Sequence, residues 1–161
     1  MQLNAIDCEP TRIASVRTVT REGAVGGSMI VSSREVPSDI VAAHGGSSVV
    51  QWKRLATGGM LHSDIESFEW NRVPAGAAIG EHVHTHTEEI YYIISGHAEM
   101  RLGGESRPVG PGDLIITPLD GRHGIANVGD TDLDFLVIEV HPPAITDRLP
   151  RKIPVAPGGD R

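Results

Sequence analysis

The chain has 161 residues, 39% hydrophobic and 22% charged, with a formal net charge of −7 and a pI near 5.5. That length suits one domain with a real core, burying about two-thirds of the unfolded surface, and scattered basic residues without a Lys/Arg cluster exclude the usual nucleic-acid footprint. No apolar run approaches the roughly 20 residues of a membrane helix.

The N-terminus, Met1-Gln-Leu-Asn-Ala-Ile-Asp, lacks the basic and apolar regions of a secretory signal. Cys8 is the single cysteine, so no intrachain disulfide can form; an inert thiol and a cytoplasmic location are expected. Thr11 to Thr20 alternates weakly, as an arm or edge strand would, and Ser28 to Ser33 is a short strand candidate. Pro37 to Ala43, followed by glycines at 45 and 46, predicts a short helix with Pro near its start and Gly beyond its end.

From Ser48 the strands follow quickly. Val49 to Leu55, Ile65 to Val73, Ile79 to His84, Glu89 to Ser95, His97 to Leu102, Asp113 to Thr117, Arg122 to Asn127 and Leu133 to Val140 are separated by Gly, Pro, Asn or Asp. Nineteen glycines and eleven prolines punctuate the chain too finely for long helices, so the class is all-β. Pro142 to Arg161, with five prolines and no apolar period, reads as an extended wrap or a disordered end.

His82 and His84 stand one residue apart in a strand, and alternate strand residues point to one face, so two imidazoles can chelate one ion. The surrounding text runs from Gly76 through His82, His84 and Glu89 to Gly96, and a second stretch runs from Gly112 through Pro118, Gly121 and His123 to Asn127. These stretches resemble the two signature motifs of the cupin family. Gly76, His82, His84, Glu89 and Gly96 fit the first. Gly112, Pro118, His123 and Asn127 fit the second, whose remaining glycine falls at Gly121, one residue late.

The resemblance implies a jelly-roll barrel of two antiparallel sheets, with at most one or two short helices. It divides the chain into a packing arm at 1–47, the barrel at 48–141 and the tail at 142–161. It also implies that His82, His84, Glu89 and His123 bind one divalent transition metal (Fe, Mn, Ni or Zn), ions that accept imidazole nitrogen and carboxylate oxygen. His86 continues the alternation, but strand residues four apart lie roughly 13 Å from one another, too far to share an ion. Glu89 is preferred to Glu88 because it keeps the six-residue gap to Gly96 and the parity of Tyr91 and Ile93.

Three further residues are candidates for chemistry. Tyr91 shares the inward parity of Glu89 and could donate a proton, or simply pack its ring. Arg72 could hold a carboxylate bidentately if it faces inward, or lie on the surface beside Glu66 or Glu69. His141 ends the last strand as a surface histidine or an acid/base at the pocket rim. The function expected is a metal-dependent enzyme acting on a small oxygenated or anionic molecule, as a dioxygenase or a metal-assisted isomerase, lyase or cyclase; the alternative is a non-catalytic binding cupin. Homodimers are common among such proteins, and outward Ile90, Tyr92 and Ile94 would supply apolar surface for one.

Overall fold

The computed structural model describes residues 16–19 and 28–150. Strands β1 (Val16–Val19) and β2 (Ser28–Val31) pair with each other, while β3 (Asp39–Val41), β4 (Val50–Thr57), β5 (Ile65–Val73), β6 (Ala78–Val83), β7 (Glu88–Ser95), β8 (Ala98–Leu102), β9 (Glu105–Val109), β10 (Leu114–Thr117), β11 (Arg122–Asn127) and β12 (Leu133–Val140) build two antiparallel sheets. The order is β10-β7-β12-β5-β4-β3 in the larger sheet and β6-β11-β8-β9 in the smaller. This is a jelly-roll barrel. No described helix is long and apolar enough to cross a membrane.

The core lies between the sheets because strand parity sends apolar side chains there from both. Tyr91 and Ile93 of β7 and Leu133, Phe135 and Val137 of β12 meet Ile79, Met100 and Ile125 of the smaller sheet in one buried cluster. The opposite face of the larger sheet carries Tyr92, Ile94, Leu114 and Ile116, all exposed.

Two segments differ from the sequence expectation. Pro37 to Ala43 is not a helix: Asp39–Val41 pairs with β4, Val41 opposite Val50, and a 3-10 turn follows over Ala43–Gly45. So short a helix is marginal alone, whereas β-branched Ile40 and Val41 suit a sheet edge that supplies their hydrogen bonds. In the tail, Pro143–Thr146 makes one helical turn, α1, with proline at its start. Within the weakly alternating stretch the described residues Val16–Val19 form a strand; Thr11 to Ser15, Thr20, Cys8 and the tail beyond residue 150 lie outside the described residues.

Strand β9 was not legible in the sequence. Its Glu-Ser-Arg-Pro-Val text shows no apolar alternation, because it is an edge strand whose first four residues are exposed. It is created by the hairpin at Gly103 and Gly104, whose φ of 56° and 94° match a two-residue turn that needs left-handed backbone at both positions.

Asn127, the last residue of the second motif, is structural. Its buried amide donates to the carbonyls of Val73 and Thr131, both at 2.8 Å, and its oxygen accepts from the Gly129 amide at 3.0 Å. One side chain therefore satisfies three backbone groups joining β5, β11 and the loop before β12. Asn127→Ala is expected to destabilise the fold by about 2–4 kcal/mol, since buried groups left unpaired cost about 1–3 kcal/mol each. Chemical denaturation measures this, and an unchanged midpoint would contradict it.

Candidate metal centre

His82 lies near the end of β6 and opposite His123 of β11, so the smaller sheet presents two imidazoles side by side. Glu89 projects from β7 of the larger sheet, and His84 comes from the connection between β6 and β7 that crosses from one sheet to the other. The four side chains can each offer one donor atom such that all lie within 4.8 Å of one another. Oε2 of Glu89 approaches Nε2 of His123 to 2.5 Å, and Oε1 lies 3.5 Å from Nε2 of His84. Oε2 of Glu89 and Nε2 of His84 are buried without an aligned hydrogen bond. Buried donors and acceptors are rarely left so, and a cation among them would satisfy both.

The other ring nitrogens are engaged. Nδ1 of His82 donates to the Gly80 carbonyl at 2.9 Å, and Nδ1 of His123 lies 3.4 Å from the Gly121 carbonyl. Carbonyls only accept, so these contacts place the proton on Nδ1 and leave Nε2 as the lone pair. His84 does the same through a relay: its Nδ1 meets the Thr87 hydroxyl at 3.3 Å, and that hydroxyl donates to Oε2 of Glu139 at 3.2 Å.

The departure in the second motif is resolved by backbone geometry. Asp120 occupies the place where the motif has glycine, and it adopts the left-handed φ of 61° that the turn requires. Aspartate tolerates that conformation better than most residues. Gly121 has a different reason to be glycine: a Cβ there would stand 2.8 Å from the Pro118 carbonyl and 2.7 Å from the Thr117 methyl. The turn docks on the site through a hydrogen bond from the Asp120 amide to the His84 carbonyl.

Burial dominates the electrostatics. It lowers His82 to about 4, opposed by the Gly80 carbonyl, and lowers His84 despite the neighbouring Glu89 carboxylate, so both imidazoles are held neutral. Burial opposes ionisation of Glu89 as well, but His123, His84 and His82 together outweigh it and its carboxyl sits below the ordinary value. Burial together with Glu69 and Glu89 raises Glu139 to about 7. A third carboxyl, Glu69, is likewise raised by burial, against a hydrogen bond from Trp52 and contact with Arg54. Three acidic groups thus face one interior.

Of the chemical candidates, Tyr91 is at the site. It is 4% exposed, its hydroxyl is 3.5 Å from Nε2 of His123, and burial followed by the Glu89 charge keeps the phenol protonated. Arg72 is not: the inward face of β5 is Ser67, Glu69, Asn71 and Val73, while the Arg72 guanidinium forms a bidentate pair with Asp134 on the other face at 2.7 and 2.8 Å. His141 is not either. It is buried instead of lying on the surface, with Nε2 2.8 Å from Glu66 and Nδ1 donating to the His86 carbonyl, beside a cavity of about 370 Å³ that none of the four clustered residues lines. His86 is exposed in the turn after β6.

Sequence reading missed Thr87 and Glu139. The available signal was parity on β12, where Glu139 continues the inward row of Phe135 and Val137 as a carboxylate. In the metal-free protein, the ordinary carboxyl value of 4.5 applies to unfolded Glu139 and about 7 to the folded form. Folding stability conferred by the protonated group is therefore lost as pH rises across that interval. Urea denaturation of metal-free Glu139→Gln should show its stability relative to the native chain rising from about pH 4.5 to about 7 and levelling off above. A difference independent of pH would refute the assignment.

Comparison with known proteins places this geometry in a family. The Cupin domain profile matches residues 70–139. An oxalate-binding protein of Thermotoga maritima is 33% identical over 114 residues, 70% of this chain and 94% of the relative. A crystal structure of a predicted oxalate decarboxylase from Thermotoga maritima superposes with a TM-score of 0.68 at 30% identity, covering 71% of this chain and all of that one. A cupin 2 conserved barrel domain protein from Salinispora arenicola gives 0.55 at 25% identity, covering 68% and 87%. The chain belongs to the cupin family.

Proposed function

We propose that His82, His84, Glu89 and His123 hold one divalent transition metal, Fe, Mn, Ni or Zn, and that the chain is an enzyme acting through it on a small anionic molecule, a short carboxylate such as oxalate. The observation that carries this reading is the convergence of four donor atoms within 4.8 Å while the outer ring nitrogens are already engaged. The names of the Thermotoga relatives supply the ligand class.

A bound dication supplies Lewis acidity toward an oxygen of the ligand and offsets the acidic interior. Tyr91 keeps a proton on its hydroxyl beside His123, and Glu139, whose carboxyl burial holds above its ordinary value in the metal-free protein, is joined to His84 through Thr87. Phe135, Ile93 and Met100 form the dry wall behind them. Two titratable groups in the interior favour proton transfer over simple storage, within the reaction classes of a dioxygenase or a metal-assisted isomerase, lyase or cyclase. A non-catalytic binding protein is the second reading, favoured by the name of the oxalate-binding relative.

Protein purified without chelator should carry one ion per chain by elemental analysis. Replacing any of the four residues with Ala should lower metal affinity by more than the about 10–100-fold typical of supporting residues, while His86→Ala retains it. Oxalate should raise the melting temperature of the metal-loaded protein alone. Turnover, by oxygen uptake or product release, decides for the enzyme; full metal occupancy in His123→Ala removes the basis for the site. Because burial holds His82 near 4, protons should displace the ion well below the ordinary histidine range, at a pH that falls further with excess metal.

The division into an arm at 1–47, the barrel at 48–141 and the tail at 142–161 is proposed as well, with the arm lending β3 to the edge of the larger sheet. So is a homodimer, through the exposed face where Leu114 pairs with Tyr92 and Ile116 with Ile90. Light scattering should report twice the chain mass and Ile116→Arg a monomer; a monomeric native chain at micromolar concentration refutes it.

A further inference from the structure

The turn before β4 brings an imidazole that neither motif contains. His44 lies within the 3-10 turn Ala43–Gly45, and its ring stacks on that of His82 with centroids 3.7 Å apart and planes 6° from parallel. The other two clustered imidazoles meet His82 at steep angles, His84 at 69° and His123 at 59°. His44 also stands edge-on to His84, at 6.5 Å. His84 and His123 lie 12° from parallel but 5.5 Å apart, so among the described residues the tight face-to-face contact in the cluster is the one that His82 makes with His44, a ring from outside the four.

This placement is built by backbone. Gly46 and Gly80 face each other so closely that a Cβ on Gly46 would fall 1.9 Å from the Ala78 carbonyl oxygen, and one on Gly80 would fall 2.1 Å from that of His44. The Ala78 amide donates to the Ser47 carbonyl at 3.1 Å. Those contacts seat the turn on β6 independently of the His44 side chain. His44 takes left-handed backbone, φ 51° and ψ 38°, a conformation uncommon for a residue other than glycine.

We propose that His44 is a positioning residue of the metal centre, its ring clamping the plane of His82 so that Nε2 of His82 stays aimed at the ion. The inference rests on the metal-site reading above. The Gly80 carbonyl fixes the His82 ring from one end, and rotation about that hydrogen bond is the freedom left; a flat neighbour at 3.7 Å blocks it. Once a cation withdraws electron density from the His82 ring, stacking against an electron-rich ring gains strength as well.

The test uses the full chain and Co(II), which reports ligand geometry through its visible absorption. His44→Asn removes the ring while tolerating left-handed backbone; His44→Phe keeps a flat face without ring nitrogens. The Asn variant is expected to bind Co(II) about tenfold more weakly, in the range of supporting residues around metals, with an altered spectrum. The Phe variant should stay within about twofold of the native chain, with the native spectrum, by the stacking argument. Equal melting temperatures of the metal-free proteins would assign the loss to the site instead of the fold. Native affinity and spectrum in the Asn variant overturn this inference alone, and equal losses in both variants overturn stacking as its cause. A native chain that takes up no Co(II) overturns the metal reading and the inference together.

Discussion

The approach of Glu89 to His123 across the two sheets is the constraint on which the rest depends. A carboxylate oxygen and an imidazole lone pair at 2.5 Å, both nearly excluded from water, are two acceptors that only a shared cation or proton reconciles. The surroundings hold the donors aimed at that shared point. Carbonyls of Gly80 and Gly121 fix two imidazoles, Thr87 fixes the third, and Tyr91 closes the side of His123. The apolar cluster behind them keeps the dielectric low, so that each polar contact is strong and each omission costly.

The same constraint explains why the interior is acidic. Glu69, Glu89 and Glu139 would repel one another in a closed barrel if all were ionised, and Arg54 engages Glu69. The chain answers in two ways: Glu89 keeps its charge beside the imidazoles, and Glu139 is pushed toward its protonated form. Neighbouring carboxyls with separated proton affinities are the arrangement that acid/base chemistry uses.

Much of this was legible in the sequence because strands encode orientation by parity. Glu89, Tyr91 and Ile93 fall on one face by counting alone, and the structure places all three inward. Parity failed for Arg72 because neither face of β5 is cleanly apolar; the inward face holds Ser67, Glu69 and Asn71, and only the packing partner reveals which side is which. It failed for Pro37 to Ala43 because a short apolar run carries no period, and pairing with β4 decided its state. His44 was invisible for a further reason: it reaches the site by a glycine-seated turn, a tertiary contact that no local spacing records, whereas Glu139 showed in the parity of β12 and only its link through Thr87 was hidden.

Asp120 carries a consequence for how such chains are recognised. The turn needs one residue in left-handed backbone, and here an aspartate supplies it while the glycine next door is demanded by close contact. Two physical requirements, one torsional and one steric, sit on adjacent residues. A pattern that asks for glycine at a fixed offset mistakes a torsion angle for a residue type, and would reject a chain whose donor geometry is intact. The transferable descriptor of this turn is therefore conformational: a residue that tolerates positive φ, followed by one without a side chain, two residues before the histidine.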